Sequence, residues 1–360
     1  MTSETAPAAG KPTRPDTPIV LGMEVDSLLG QLARLKDRRA TVLYADIFPD
    51  DSEWDLEEFE QRLRYFLLLT AILLYKSALP VVKIINLVTP PDAHRQELRE
   101  TVAKRANLLR AYTRGGFADL NNIRRWIPEL DATSAEGRDL GEIVLRIQDT
   151  LDFIAACLGG TGAIEHIANA EAFFALSAEA AMAIDPAHAD TTTHAAHVLT
   201  ADLAALRDNA ALKDFLRSVQ NPLLVRVDGA DGLVPALEGL AGAGGQPRVI
   251  LDVVRRAPDV VAPAVAAQRA LPDTVCALIS TFDGVPVAVE EGRTDLRVGN
   301  REVDAFCADG SAWAGVGLAA GGGQGDFRLT ARNRMPSFAY HLIEMLNRSA
   351  LPMSKRGLLG

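Results

Sequence analysis

Leu223-Leu-Val-Arg-Val227, Val249-Ile-Leu-Asp-Val-Val254 and Val275-Cys-Ala-Leu-Ile-Ser-Thr281 are three short apolar, β-branched runs separated by turn signals. Short apolar runs bounded by turn signals read as strands. Leu233–Leu240 lies between the first two and reads as a crossover helix, which makes the pair parallel. The third run passes through Asp283-Gly284 into Val285–Val289. An Asp-Gly pair between apolar runs favours a tight hairpin, because a type I′ turn needs positive φ at both positions. A parallel unit followed by a hairpin predicts a mixed sheet, so the fold class is α/β mixed.

Outward from this region, Leu140–Arg217 reads as mostly helical and rich in Ala, broken at Gly159-Gly160 and Asp185-Pro186. In that reading residues 192–207 are one helix and Ala168–Ala183 is a close-packing helix. Thr41–Ile47 and Val81–Val88 read as strands, and 92–113 as an amphipathic helix closed by Gly115-Gly116. Tyr65–Tyr75 is apolar for 11 residues. A membrane span needs about 20, so this is a buried helix. Towards the end, Arg334–Leu346 reads as a helix with Phe338, Leu342 and Leu346 on one stripe. The expected organisation is a tail at 1–18, a mainly helical domain at 19–220, a smaller mixed α/β domain at 221–347, and a tail at 348–360.

Composition narrows the partners. The chain has 360 residues, 37 Lys+Arg against 47 Asp+Glu and a net charge of -10, with 48% hydrophobic residues. An acidic surface repels phosphate backbones and anionic lipid, which argues against nucleic acid and membrane insertion. Cys157, Cys276 and Cys307 are too few and too scattered for a disulfide framework. Cys157 and Cys276 sit in apolar runs and read as buried thiols. The expected compartment is the reducing cytoplasm.

The chemistry-bearing candidates are sparse. His188, His194 and His197, with Asp190, offer imidazoles and a carboxylate to a borderline metal, and His194 and His197 would share a helical face. They lack a zincin glutamate, and Asp190 with Thr191–Thr193 fits an N-cap. The Gly315–Gly325 run has GxGxxxG spacing but no following helix to aim amides at a phosphate, so it reads as a flexible connection between strands. Asp228-Gly-Ala-Asp231-Gly lacks the spacing and closing glutamate of a calcium loop and reads as a turn. Asp50/Asp51 and Glu290/Glu291 read as solvated pairs, and Leu32–Ala40 as a charged helix end. Neither GxSxG nor a Cys/His motif is present. No cofactor is expected.

Several fragments, in order, carry a family resemblance. Arg328-Leu329 followed by Phe338-Ala339-Tyr340-His341-Leu342 resembles the C-terminal helix of the large contractile-sheath subunit of type VI secretion systems. Ala168–Phe174 is similar to that family's alanine-rich segment. Ala205–Asp208 with Pro222–Arg226 is similar to its next helix and strand, and Val82-Lys83-Ile84 to an earlier strand. The fragments cover about a fifth of the chain; the strand ending Leu-Val-Arg-Val-Asp departs from the family pattern, and its tryptophan motif is not recognisable. The resemblance implies a non-enzymatic structural subunit that self-associates or joins a smaller partner by exchanging strands. Arg328, Phe338, Ala339 and Leu342 would be its assembly residues. The alternative is an α/β enzyme or ligand-binding protein with its site at the strand ends of 222–290, where Asp228 and Asp252 are the first ligand candidates.

Overall fold

A computed structural model of the chain describes residues 17–35, 40–48, 56–77, 79–87, 89, 94–114, 135–158, 172–186, 191–254, 260–283 and 313–319. The described elements run α1 (Gly22–Leu32), β1 (Thr41–Ala45), α2 (Leu56–Ser77), β2 (Val81–Asn86), α3 (Arg95–Arg114), α4 (Ala135–Leu158) and β3 (Ala172–Ser177). They continue through α5 (Ala178–Ile184), β4 (Val198–Asp202), α6 (Leu203–Asp208), α7 (Ala210–Ser218), β5 (Leu223–Val227) and α8 (Leu233–Leu237). Last come β6 (Val249–Val254), α9 (Val261–Ala270), β7 (Val275–Asp283) and β8 (Trp313–Ala319).

Each strand pairs in parallel with the next, and β8 returns to pair with β1, so the eight described strands close into a barrel. The α/β class expected from the sequence is present, but the mixed sheet is not. β7 pairs β8 in parallel rather than opening a hairpin, and Val285–Val289 lies outside the described residues. Strands from both sides of residue 220 enter the one sheet.

Side-chain alternation divides the core in two. Val42, Tyr44, Val82, Ile84, Phe173, Ala175, Val198, Leu224, Ile250, Ala277 and Ile279 form the inward cluster that fills the barrel. Their neighbours along each strand, such as Leu43, Ile85, Phe174, Leu199, Val225 and Leu251, face the surrounding helices in a second, larger cluster. Strands buried on both sides are apolar at nearly every position, which is why β5 and β6 are legible at their full length in the sequence.

Two strands contradict the helical reading. Ala172–Ser177 and Val198–Asp202 pair between their neighbours, Lys83 with Ala172 and Leu199 with Leu223. Both run directly into short helices, so alanine and leucine signals from the helix spill back over the strand. The segment Thr191–His197, expected at a helix start, is an irregular loop. The Asn221 side chain donates to the carbonyls of Thr193 and Ala196 and accepts from the Thr193 amide, which satisfies this loop's buried backbone.

The glycine-rich segment is corrected as well. Residues 313–319 are the closing strand. A Cβ on Gly315 would lie 2.0 Å from the Val42 carbonyl oxygen, so the seam between β8 and β1 admits only glycine there.

α1 lies at the amino end of the barrel. Leu28, Leu32 and Leu35 join the inward cluster and seal that end. The expected solvated helix end at Leu32–Ala40 is therefore buried at Leu32, Leu35 and Ala40. A polar latch holds α1 in place. Glu24 accepts from the Leu21 amide at 2.8 Å and lies 3.5 Å from His197 Nε2 and 3.8 Å from Arg110. Arg110 also donates to the Ile19 carbonyl at 2.6 Å and stacks over the Phe174 ring. The hydrogen bond to His197, against some cost of burial and with help from the Leu21 amide and Arg110, holds the Glu24 carboxyl down to about 2.

Two outcomes follow from this geometry. Gly315→Ala should open the seam and lower the urea midpoint, although the same change within an ordinary strand stabilises by about 0.5–1 kcal/mol. A folded carboxyl held below its unfolded value of about 4.3 stabilises the protein above that pH and loses the contribution as pH falls towards 2. Thermal melts of Glu24→Gln should therefore lie below wild type at neutral pH and converge with it between about pH 4 and pH 2.

Candidate functional site

Continuing the inward face towards the carboxyl ends of the strands replaces apolar with polar side chains. Tyr44 and Asp46 follow on β1, Asn86 ends β2, Asp202 ends β4, Arg226 lies on β5 and Asp252 on β6. Asp202, Arg226 and Asp252 are register partners across three neighbouring strands. In parallel α/β barrels this is the end on which binding and catalytic groups are built.

Two linked sets occupy the mouth. In the first, the Tyr44 hydroxyl donates to Asp46 Oδ1 at 3.1 Å, and Asn86 Nδ2 donates to the same oxygen at 2.8 Å. Two donors, from β1 and β2, fix the orientation of this carboxylate. Burial, reinforced by the charge of Asp46, pushes the Tyr44 phenol well above its ordinary value, so it stays protonated and donates. In the second set, Arg226 Nε lies 3.9 Å from Oδ2 of Asp252, which is 0% exposed. Burial alone would lower the Arg226 guanidinium; Asp252, Tyr44, Asp46 and Asp202 together raise it. One permanent cation thus sits among Asp46, Asp202 and Asp252, beside a neutral phenol. This arrangement can hold a negative or carbonyl oxygen at Arg226 and exchange protons through a carboxylate.

The sequence candidates fall unevenly on this geometry. Asp252 lies in the mouth, whereas Asp228 is exposed in the turn after β5. His194 and His197 sit at the other end of the barrel. His197 Nδ1 accepts the Phe174 amide at 2.9 Å, which leaves its proton on Nε2 towards Glu24, and His194 Nδ1 lies 3.1 Å from the Val20 carbonyl. Both rings are structural, and His188 and Asp190 lie outside the described residues. Among the described residues, no group of three or more His, Cys, Asp or Glu comes together to hold a metal. Cys276 is buried as expected, but Cys157 is exposed on α4. Arg328, Phe338, Ala339 and Leu342 lie outside the described residues, as do Asp50/Asp51 and Glu290/Glu291. Tyr44, Asp46, Asn86, Asp202 and Arg226 were not singled out from sequence, because a lone polar residue at the end of an apolar run carries no local motif. Strand alternation continued past the last apolar residue would have flagged them.

With the barrel and its mouth in place, the relatives can be compared. Residues 90–241 match the model of the class-II DAHP synthetase family. The chain is also 24% identical to a phospho-2-dehydro-3-deoxyheptonate aldolase of Streptomyces coelicolor, over 42% of this chain and 45% of the relative. The chain thus spans less than half the length of the curated relative it matches.

These matches overturn the resemblance to a contractile-sheath subunit and with it the structural, secretion-like role. The fragments Ala168–Phe174 and Ala205–Arg226, which carried much of that resemblance, fall inside the matched stretch. Closure supplies the physical reason. Strand exchange needs a free sheet edge, and the pairing of β8 with β1 leaves none among the described strands. The enzyme alternative fits better. Among the described residues, no helix is long and apolar enough to cross a membrane.

Removing Arg226 leaves the fully buried Asp252 carboxylate without its facing guanidinium. Arg226→Met should cost about 3 kcal/mol in urea unfolding, and adding Asp252→Leu should recover most of it.

Proposed function

We propose that this chain is a cytoplasmic barrel enzyme of carbon–carbon bond chemistry, working at the carboxyl end of its strands. The substrate class is the one in the relative's name, a phosphorylated seven-carbon acid with a 2-keto and a 3-deoxy position. The observation that carries the reading is the polar layer Tyr44–Asp46–Asn86 and Arg226–Asp252, built where parallel barrels place their sites.

In the cleavage direction, a base removes the proton of the hydroxyl next to the deoxy carbon. The carbon–carbon bond between them breaks, and its electrons move into the neighbouring keto group as an enolate. A proton returned to the deoxy carbon completes the balance, and the condensation direction is the reverse. Asp46, fixed by two donors, is the base that takes the hydroxyl proton. Arg226 is placed to hold the keto oxygen or the adjacent carboxylate, where its charge stabilises the enolate. Tyr44 stays protonated and orients Asp46. None of the inward positions of the described strands is a lysine, so among them acid–base catalysis stands in place of a Schiff base.

The test is direct product detection with the full chain and the phosphorylated 2-keto-3-deoxy acid. Wild type should turn over, and Arg226→Ala should lose about 100-fold or more in kcat/KM while keeping its circular dichroism spectrum. Absence of turnover in wild type, or full activity in Arg226→Ala, refutes the assignment.

A further inference from the structure

In cleavage the deoxy carbon must gain a proton, and in condensation it must lose one. The group that carries this proton lies beside the enolate site at Arg226, reaches water so that it can be reloaded, and is not committed elsewhere. Asp202 has all three properties. It is the last residue of β4, where Val198 faces the barrel interior and Leu199 and Ala201 face the helices, so Asp202 continues the inward face. It is the register partner of Arg226 on the next strand, and adjacent strands run only about 4.8 Å apart. It is one of the carboxyl groups that raise the Arg226 guanidinium.

Asp202 is exposed to solvent. It also occupies the N-cap position of α6, where an aspartate ordinarily accepts a backbone amide, yet its side chain makes no capping hydrogen bond. Ser177 and Asn209, at the same position of α5 and α7, both cap through their side chains. The other mouth groups lack one property or another. Asp252 faces Arg226 from the opposite neighbouring strand, 3.9 Å from Nε, but at 0% exposure it cannot be reloaded from water. Tyr44 is 1% exposed and donates to Asp46, and burial holds its phenol well above the ordinary value. Asp46 already takes the hydroxyl proton.

We infer that Asp202 is the acid–base group of the deoxy carbon, giving it a proton in cleavage and removing that proton in condensation. The inference rests on the carbon–carbon bond reading of the mouth. In cleavage the hydroxyl proton passes to Asp46, and the electrons of the broken bond form the enolate beside Arg226. The O–H bond of Asp202 then breaks as the new C–H bond forms. Water takes the proton of Asp46 and returns one to Asp202. Breaking the seven-carbon acid at this bond gives a four-carbon phosphorylated aldehyde and pyruvate, whose methyl carbon is the former deoxy carbon.

Proton NMR of pyruvate in D2O with the full chain, and no aldehyde, reads the exchange that Asp202 carries. Wild type should exchange the methyl protons, and Asp202→Asn should do so about 100-fold more slowly. The loss should lie in kcat with KM for pyruvate little changed, because Arg226 still holds the keto acid. The circular dichroism spectrum and urea midpoint should not move, since Asp202 does not cap α6, and Asp202→Glu should recover part of the rate. A wild type that cleaves the seven-carbon acid without exchanging pyruvate, or an Asp202→Asn variant that exchanges at the wild-type rate, overturns this inference alone. A wild type that neither cleaves nor exchanges overturns the carbon–carbon reading with it.

Discussion

The structure depends on one seam. Seven parallel pairings follow from consecutive strands, but the eighth joins the last described strand to the first across almost the whole length of the chain. That pairing works because Gly315 lets β8 approach the backbone of Val42 to a distance that any side chain would block. Once the seam is made, no described strand presents an edge, and the inward cluster is enclosed on every side. α1 then closes the amino end with Leu28, Leu32 and Leu35. The polar layer is left at the opposite, carboxyl end.

The buried polar groups at the two barrel ends serve different purposes. At the amino end, Arg248 is 1% exposed and donates to the carbonyls of Leu240, Asn221 and Leu216. Burial lowers its guanidinium to about 10 without removing its charge at neutral pH. It ties the end of α7 to the entry of β6, as Asn221 ties the loop before β4. Arg248 and Asn221 hydrogen-bond to backbone groups, which is a structural use. At the carboxyl end, Tyr44, Asn86 and Asp46 bond side chain to side chain, and Arg226 faces Asp252.

The chain is only 6% aromatic, and the alanines at 172, 175, 201 and 277 are buried positions of the strands. Alanine is also why the helical reading of the sequence extended too far. Alanine favours helices locally, and only the ladder between β2 and β5 makes Ala172–Ser177 and Val198–Asp202 extended. Local propensity is worth tenths of a kcal/mol per residue, whereas a parallel partner on both sides satisfies every backbone group of the strand.

By itself, the sequence determined the strands whose residues are apolar on both faces, β5, β6 and most of β1, β2 and β7, together with the amphipathic α3 and the apolar α2. Those signals are local: burial on both sides writes a continuous apolar run, and one buried stripe writes a helical period. Tertiary structure alone decided that the sheet is wholly parallel and closed, that β3, β4 and β8 belong to it, and that His194 and His197 brace α1 in place of a metal. It also decided that Tyr44, Asp46, Asn86, Arg226 and Asp252 share one mouth. Each of these is a polar residue at or near the end of an apolar run, and apart from the neighbouring Tyr44 and Asp46 they are separated by tens of residues. Only closure of the barrel brings them within hydrogen-bonding and electrostatic reach, and closure is a property of all the pairings together.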